Sequence, residues 1–266
     1  MPHPLDGPRA KLKRVKYQIK TLDYECQRFF SRQIGGAVIG KTDRKTGFEA
    51  LTNPIDAPEM PDVPLDWAIL VGEIAHNLRS ALDGVICQLA IRSNPGSDWR
   101  LCKEKRTAFP VFLKGPHSVE KQGRFSRKRL DYLRPAYVTR IEGLQPYKRG
   151  NGHRRSTLWL LHELNNADKH RLVPVISGWA LASSVTALVG HAKRFSMQAG
   201  MQVKTKTDFG EIWKSEDDVY MYAQRRPHIR FGDGCDAVEE LPVILTLVRI
   251  TDSIESIIES FATDFP

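Results

Sequence analysis

The sequence predicts an α+β protein: a helical bundle around one long central helix, about residues 67–93, with an antiparallel sheet inserted at about 172–232. Three observations carry this prediction. The segment WAILVGEIAHNLRSALDGVICQLAIRS, Trp67 to Ser93, has no proline and places Trp67, Leu70, Ile74, Leu78, Ala81, Val85 and Leu89 on one helical face. The period then changes: Phe195, Met197, Ala199, Met201 and Val203 alternate with polar or small residues, as in a strand. Helical spacing returns from about Leu241 to Phe261, through Ile244, Leu245, Val248, Ile254, Ile257 and Ile258.

The elements follow in order. Leu12, Val15, Ile19, Leu22, Cys26 and Phe29 make a single apolar stripe, predicting an amphipathic helix over 10–33. Gly35 to Leu51 reads as a hairpin, AVI and FEAL around the turn GKTDRKTG. The proline-rich stretch Asn53 to Pro64 is an extended lead into the central helix, and 94–116 is irregular. Ser118 caps a basic helix running to about Leu133, which Pro135 breaks before a short helical turn near Thr139. Ser156 to His170 is a further helix with Leu158, Leu161 and Leu164 inward. Strands are expected at 172–177, 184–189, 195–203, 219–223 and 229–231, and Pro242 suits the first turn of the last helix. The whole reads as a single domain, 1–266, with helical parts 10–171 and 238–263.

The chain has 266 residues, 41% hydrophobic and 27% charged, the composition of a folded protein rather than a disordered or fibrous one. MPHPLDGPRAKLKR has no apolar stretch after its basic residues, and Glu73, Arg79 and Asp83 interrupt the most apolar helix. Neither a secretory leader nor a membrane span is expected, and a cytoplasmic location is. Cys26, Cys87, Cys102 and Cys235 form no CxxC pair and read as reduced thiols. The net charge of +9 is uneven: Lys103 to Arg155 holds 15 Lys or Arg against 4 Asp or Glu, a local balance of +11. Such a segment favours a polyanion such as RNA, with Lys121, Arg124, Arg127, Lys128, Arg129 and Arg134 as the expected contacts. A solvated basic face is the plainer alternative, and a homodimer is a second kind of partnership.

GGAVIGKT, Gly35 to Thr42, matches the phosphate-loop pattern letter for letter. Its context does not: a helix precedes it, a charged turn follows it, and the hairpin is the better reading. No cofactor is expected.

Glu73, His76, Arg79 and Asp83 gather on the polar side of the central helix, at spacings of three and four. Asn165 and Asp168 of NNADKHR share the inward face of the later helix, followed by Lys169, His170 and Arg171 at its end. A carboxylate on an apolar face needs a cation, and Arg79 is the expected partner of Asp168. Three uses compete for this network. It is a buried ion pair that only docks two helices; or His76 or His170 is a general acid or base, with Arg79 and Lys169 on a phosphate oxyanion; or His76, Asp83, Asp168 and His170 ligate a metal in a hydrolase, although no HExxH is present. His162, beside Trp159 and Asn166 on another face, reads as a packing residue.

HNLRSALDG and NNADKHR, with Phe109–Pro110 and the LQPY of Leu144–Tyr147 between them, resemble a group of uncharacterised bacterial proteins that is distantly similar to HEPN domains. The resemblance implies a helical bundle acting on RNA, with an arginine and a histidine at the site. Gly84 stands where such sequences often place the histidine of an Arg-x4-His arrangement beginning at Arg79, while Arg155 and His162 satisfy an Arg-x6-His spacing. The expected protein is therefore one that binds RNA or a nucleotide, with metal-independent phosphodiester cleavage as the first enzymatic expectation and a non-catalytic scaffold as the alternative.

Overall fold

A computed structural model describes residues 3–31, 37–41, 60–105, 107–118, 125–189, 193–198 and 219–265. The chain forms two compact units, one from Met1–Glu25, Val63–Ile176 and Arg230–Pro266, the other from Cys26–Asp62 and Ser177–Ile229. The architecture is α+β, as the periodicities predict.

The first unit is built on helices α1 (Asp6–Phe30), α2 (Leu65–Ser93), α3 (Arg100–Glu104), α4 (Pro135–Gly143), α5 (Thr157–His170) and α6 (Val243–Ser260). In α2, Val71, Ile74, Ala75, Leu78, Ala81, Leu82, Val85, Ile86 and Leu89 have no solvent exposure. These residues span far more than one stripe, so α2 is the core helix of the unit, and each large side chain contributes roughly 1.5–3 kcal/mol of burial. It packs on α5 and α6, which also pack on each other. Its end is fixed by side chains: Ser93 Oγ donates to the carbonyl of Leu89 at 2.7 Å and Asn94 Nδ2 to that of Ala90 at 2.8 Å. On the α1 side, Gln18 Nε2 donates to Glu73 at 3.0 Å, and Lys11 donates to Ser80. Arg9 pairs with Glu259 at 2.6 Å and Lys16 with Glu255 at 2.7 Å, joining α1 to α6. Ser156 caps α5, accepting from the amide of Trp159 at 3.2 Å.

The sheet contains β1 (Ala37–Lys41), β2 (Val175–Val189), β3 (Lys193–Gln198) and β4 (Val219–Phe231), in the order β1-β4-β2-β3. β1 runs antiparallel to β4 with Ile39 opposite Tyr222, and β2 antiparallel to β3 with Ala187 opposite Phe195. The strands expected at 172–177 and 184–189 are one continuous strand, as are those at 219–223 and 229–231. Ala37–Lys41 is a strand paired with β4 and not the turn of a phosphate loop. The turn and return arm expected at 42–51, and the strand residues 199–203, lie outside the described residues.

Three expectations are corrected. The basic helix expected over 118–133 is only a 3-10 turn at Arg127–Leu130 among the described residues. Phe125, Leu130 and Leu133 are buried there, so packing rather than helical period sets the segment's path. Pro135 does not break a helix but opens α4, where its missing N–H costs nothing. Cys87 and Cys102 are not separate thiols: they form a disulfide that ties α3 to α2, while Cys26 and Cys235 are free and buried. Among the described residues no helix is long and apolar enough to cross a membrane.

Candidate functional site

The polar side of α2 serves two neighbours. Glu73 belongs to the α1 contact through Gln18, whereas Arg79 and Asp83 hold an extended strap, residues 107–114. Phe109 precedes a proline and is therefore driven to extended backbone. Among the described residues, backbone bonds hold only its ends, Thr107 on the carbonyl of Cys102 and Lys114 on the amide of Phe125, so the amides and carbonyls between need side chains. The amide of Phe109 donates to Asp83 Oδ1 at 2.8 Å, and Arg79 Nη2 donates to the carbonyl of the same residue. From the other side Gln145, fully buried, accepts from the amide of Phe112 at 3.0 Å and donates to the carbonyl of Pro110 at 2.9 Å. It also donates to the carbonyl of Ile141 at 3.1 Å, so its amide is fully used. Arg79, Asp83, Phe109–Pro110 and the LQPY segment, distant in sequence, thus meet at one place.

Beside the strap lies a pocket of about 610 Å³. Arg79, Lys105 and Lys114 supply its cations, Trp159, His162, Tyr132 and Phe109 much of its ring surface, and among the described residues no aspartate or glutamate lines it. The Arg79 side chain is only 16% exposed, and its Nε lies 3.4 Å from Asp83 Oδ1. Burial holds the guanidinium below its ordinary pKa, with Asp83 opposing, yet arginine stays charged across the working range. Its Nη1 is buried and has no hydrogen-bond partner. A buried charged donor left unpaired is costly.

His162 stands on α5, its ring stacked near Trp159 with centroids 5.2 Å apart and planes tilted by 34°. Its Nε2 is 3.0 Å from Asn166 Nδ2, an amide nitrogen that can only donate. Nε2 therefore accepts, and the ring proton sits on Nδ1. Desolvation, then the charges of Arg79 and Lys169, lower its pKa to about 4. His162 is a neutral donor in this pocket at pH 7. Sequence reading assigned it to packing, and the only signal of its role was the Arg-x6-His spacing. Arg155 of that pair is exposed and does not line the pocket.

The other expected residues fall elsewhere. Arg79 does not pair with Asp168; its carboxylate partner is Asp83, one turn along the same helix. Asp168 lies instead over Gly72, where a Cβ would come within 1.8 Å of its Oδ1. That close approach needs a glycine in α2, and it places Asp168 about two turns from Arg79 along the helix. Glu73, His76, Lys169, His170 and Arg171 are exposed, and Asn165 is buried between helices. None of these six lines the pocket, so the acid–base set expected from His76 and His170 is not assembled around Arg79. Arg171 packs its guanidinium on the turn at Gly234. A Cβ at Gly84 would meet Pro8 of α1 at 3.3 Å, so a histidine there would be directed at α1. Among the described residues no three or more His, Cys, Asp or Glu cluster to hold a metal ion, and His76, Asp83, Asp168 and His170 form no ligand set.

Of the basic residues expected to meet nucleic acid, Arg127 is paired with the buried Glu142 at 2.5 Å, and Arg134 donates to the carbonyl of Arg92 at 2.9 Å. Lys128 is exposed; Lys121 and Arg124 lie outside the described residues, as does the side chain of Arg129. Lys105 and Lys114, at the two ends of the strap, were not singled out in the sequence. Compared with family models, curated proteins and solved structures, the chain matches none.

Proposed function

We propose that the protein binds RNA, with the Arg79 pocket as the anchoring point for phosphate. The carrying observation is a pocket whose lining brings Arg79, Lys105 and Lys114 together with four aromatic rings, those of Phe109, Phe112, Tyr132 and Trp159. Ring surface from Trp159, Tyr132 and Phe109 suits unstacked bases, which gain on the order of 1–3 kcal/mol each from aromatic stacking. The basic segment Lys103–Arg155, which contains Lys105 and Lys114, and the resemblance to HEPN domains favour RNA as the polyanion. Binding is the activity assigned; His76 and His170 do not line the pocket.

The test is a salt titration of labelled single-stranded RNA binding. Three neutralised phosphates on a single strand give a slope of about −2 in log affinity against log salt. Arg79→Met is expected to weaken binding roughly tenfold, the worth of one charge-assisted contact. A second reading has its own observation: Arg79 and Asp83 both grip the backbone of Phe109, as a purely structural clip would. If Arg79→Met loses stability while RNA binds neither variant nor wild type, the clip is the whole role and the pocket is not a site.

A further inference from the structure

We infer that the outer face of α1 is a stacking platform for single-stranded RNA, a contact surface distinct from the Arg79 pocket. This rests on the reading above for its partner and adds where else on the chain a strand is held. Leu12, Val15, Ile19 and Leu22 form the buried face of α1. The opposite face carries Lys13, Tyr17, Lys20 and Tyr24, four exposed residues in steps of four, three and four. Such steps keep side chains on one line along a helix, so cations and rings alternate over about 16 Å. Tyrosine usually buries much of its ring, yet Tyr17 is 62% exposed and Tyr24 60%.

The charges of this face differ from those that join α1 to α6. Arg9 and Lys16 are spent on Glu259 and Glu255. Among the described residues, Lys13, Arg14 and Lys20 have no carboxylate partner, and Arg14 lies instead over the Tyr17 ring, 5.7 Å from its centroid. A cation over an otherwise exposed ring leaves ring surface for a base. Beside the stripe lies a groove of about 450 Å³, lined from α1 by Lys13, Lys16, Tyr17 and Lys20 and from α6 by Glu255 and Glu259. Both glutamates are already neutralised by Lys16 and Arg9, so the lining stays net positive. Alternating cations and rings fit an unpaired strand, whose phosphates meet the lysines while its bases lie on the rings. A duplex hides its base faces and would use the lysines alone. An anionic membrane would meet the same lysines, but insertion needs large apolar side chains on that face, and those of α1 are buried on the other.

The experiment uses the full chain and a labelled single-stranded RNA of about twelve nucleotides, with substitutions at exposed positions that leave the core of α1 untouched. Lys13→Gln combined with Lys20→Gln is expected to make the salt slope shallower by about 1.4, two phosphates at about 0.7 each. Tyr17→Leu is expected to weaken binding at least about fivefold at an unchanged melting temperature, and Tyr17→Phe, which keeps the ring, to bind like the wild type. The same RNA annealed to its complement is expected to be indifferent to Tyr17→Leu. Wild-type affinity and salt slope in both the lysine and the Tyr17→Leu variants would overturn the platform and leave the RNA reading standing on the Arg79 pocket. Weakening by the lysine variant alone would show a charged face without stacking and overturn the platform too. Absence of RNA binding at low salt, whether or not the protein binds phosphatidylserine vesicles, would overturn both the platform and the RNA reading.

Discussion

Arg79 and His162 show how a residue's chemistry depends on backbone that its own helix does not supply. Each lies on a helix, yet what brings them to one candidate site is the strap at 107–114, which lines the same pocket and whose Phe109 carbonyl accepts from Arg79. The low pKa of His162 follows from burial, then from the charges of Arg79 and Lys169, and carries a pH signature. The unfolded ring titrates near 6.5 and the folded one at about 4, so between these values the unfolded chain binds more protons. Stability therefore falls as pH drops from about 6.5 toward 4, and the share due to His162 is fully present only above that window. His162→Gln removes this share. Urea midpoints measured from pH 7 to pH 4 are expected to fall more steeply for the wild type than for the variant. Parallel curves would show that the ring is not shielded. Sequence periodicity placed His162 beside Trp159 and Asn166 correctly, but the strap residues that line the same pocket leave no trace in the period of α5.

At the scale of elements, periodicity locates the helices because burial repeats along them. α1, α2, α5 and α6 fall within a few residues of the expected bounds, and β3 includes the described part of the strand that alternation predicts at 195–203. What remained illegible was held by backbone atoms. Arg79 was expected to pair with Asp168, but it pairs with Asp83, and both hydrogen-bond the backbone of Phe109. Peptide groups are the same at every position, so no letter announces such a partner. The disulfide was hidden for a related reason: Cys87 and Cys102 are 15 residues apart with no motif between them, and only the turn back from α2 into α3 brings their Cα atoms to 5.3 Å. This pairing predicts a thiol count. Unfolded in denaturant without reductant, the chain is expected to expose two reactive thiols, Cys26 and Cys235, and four after reduction. Four thiols before reduction, in protein purified under oxidising conditions, would mean that α3 is not tied to α2. The consequence reaches the pocket, because Cys102 also accepts from the amide of Thr107 at 3.0 Å, through its carbonyl, where the strap begins.

For the whole molecule, the question is whether the first unit owns its site. All the pocket-lining residues lie between 79 and 162, inside that unit, as does the basic segment Lys103–Arg155. The chain leaves the unit after Ile176 and returns at Arg230, and the two crossings are neighbours: Gly232 donates its amide to the Pro174 carbonyl at 3.0 Å, and a Cβ there would touch Ile176 at 3.2 Å. The return is anchored locally too, with the Phe231 amide on the Leu241 carbonyl at 3.0 Å and Phe231 itself fully buried. A short connection between these ends therefore closes a smaller loop than the native one and costs less entropy. Replacing residues 177–229 by a brief Gly-Ser turn is expected to leave a helical protein that unfolds cooperatively and still binds single-stranded RNA with the same salt slope. Circular dichroism through a thermal melt and the RNA titration read the two halves of this expectation. A cooperative melt with lost binding would place part of the RNA surface in the second unit. Loss of the melt itself would show that the α2–α5–α6 core, despite its complete burial, needs the sheet to hold together.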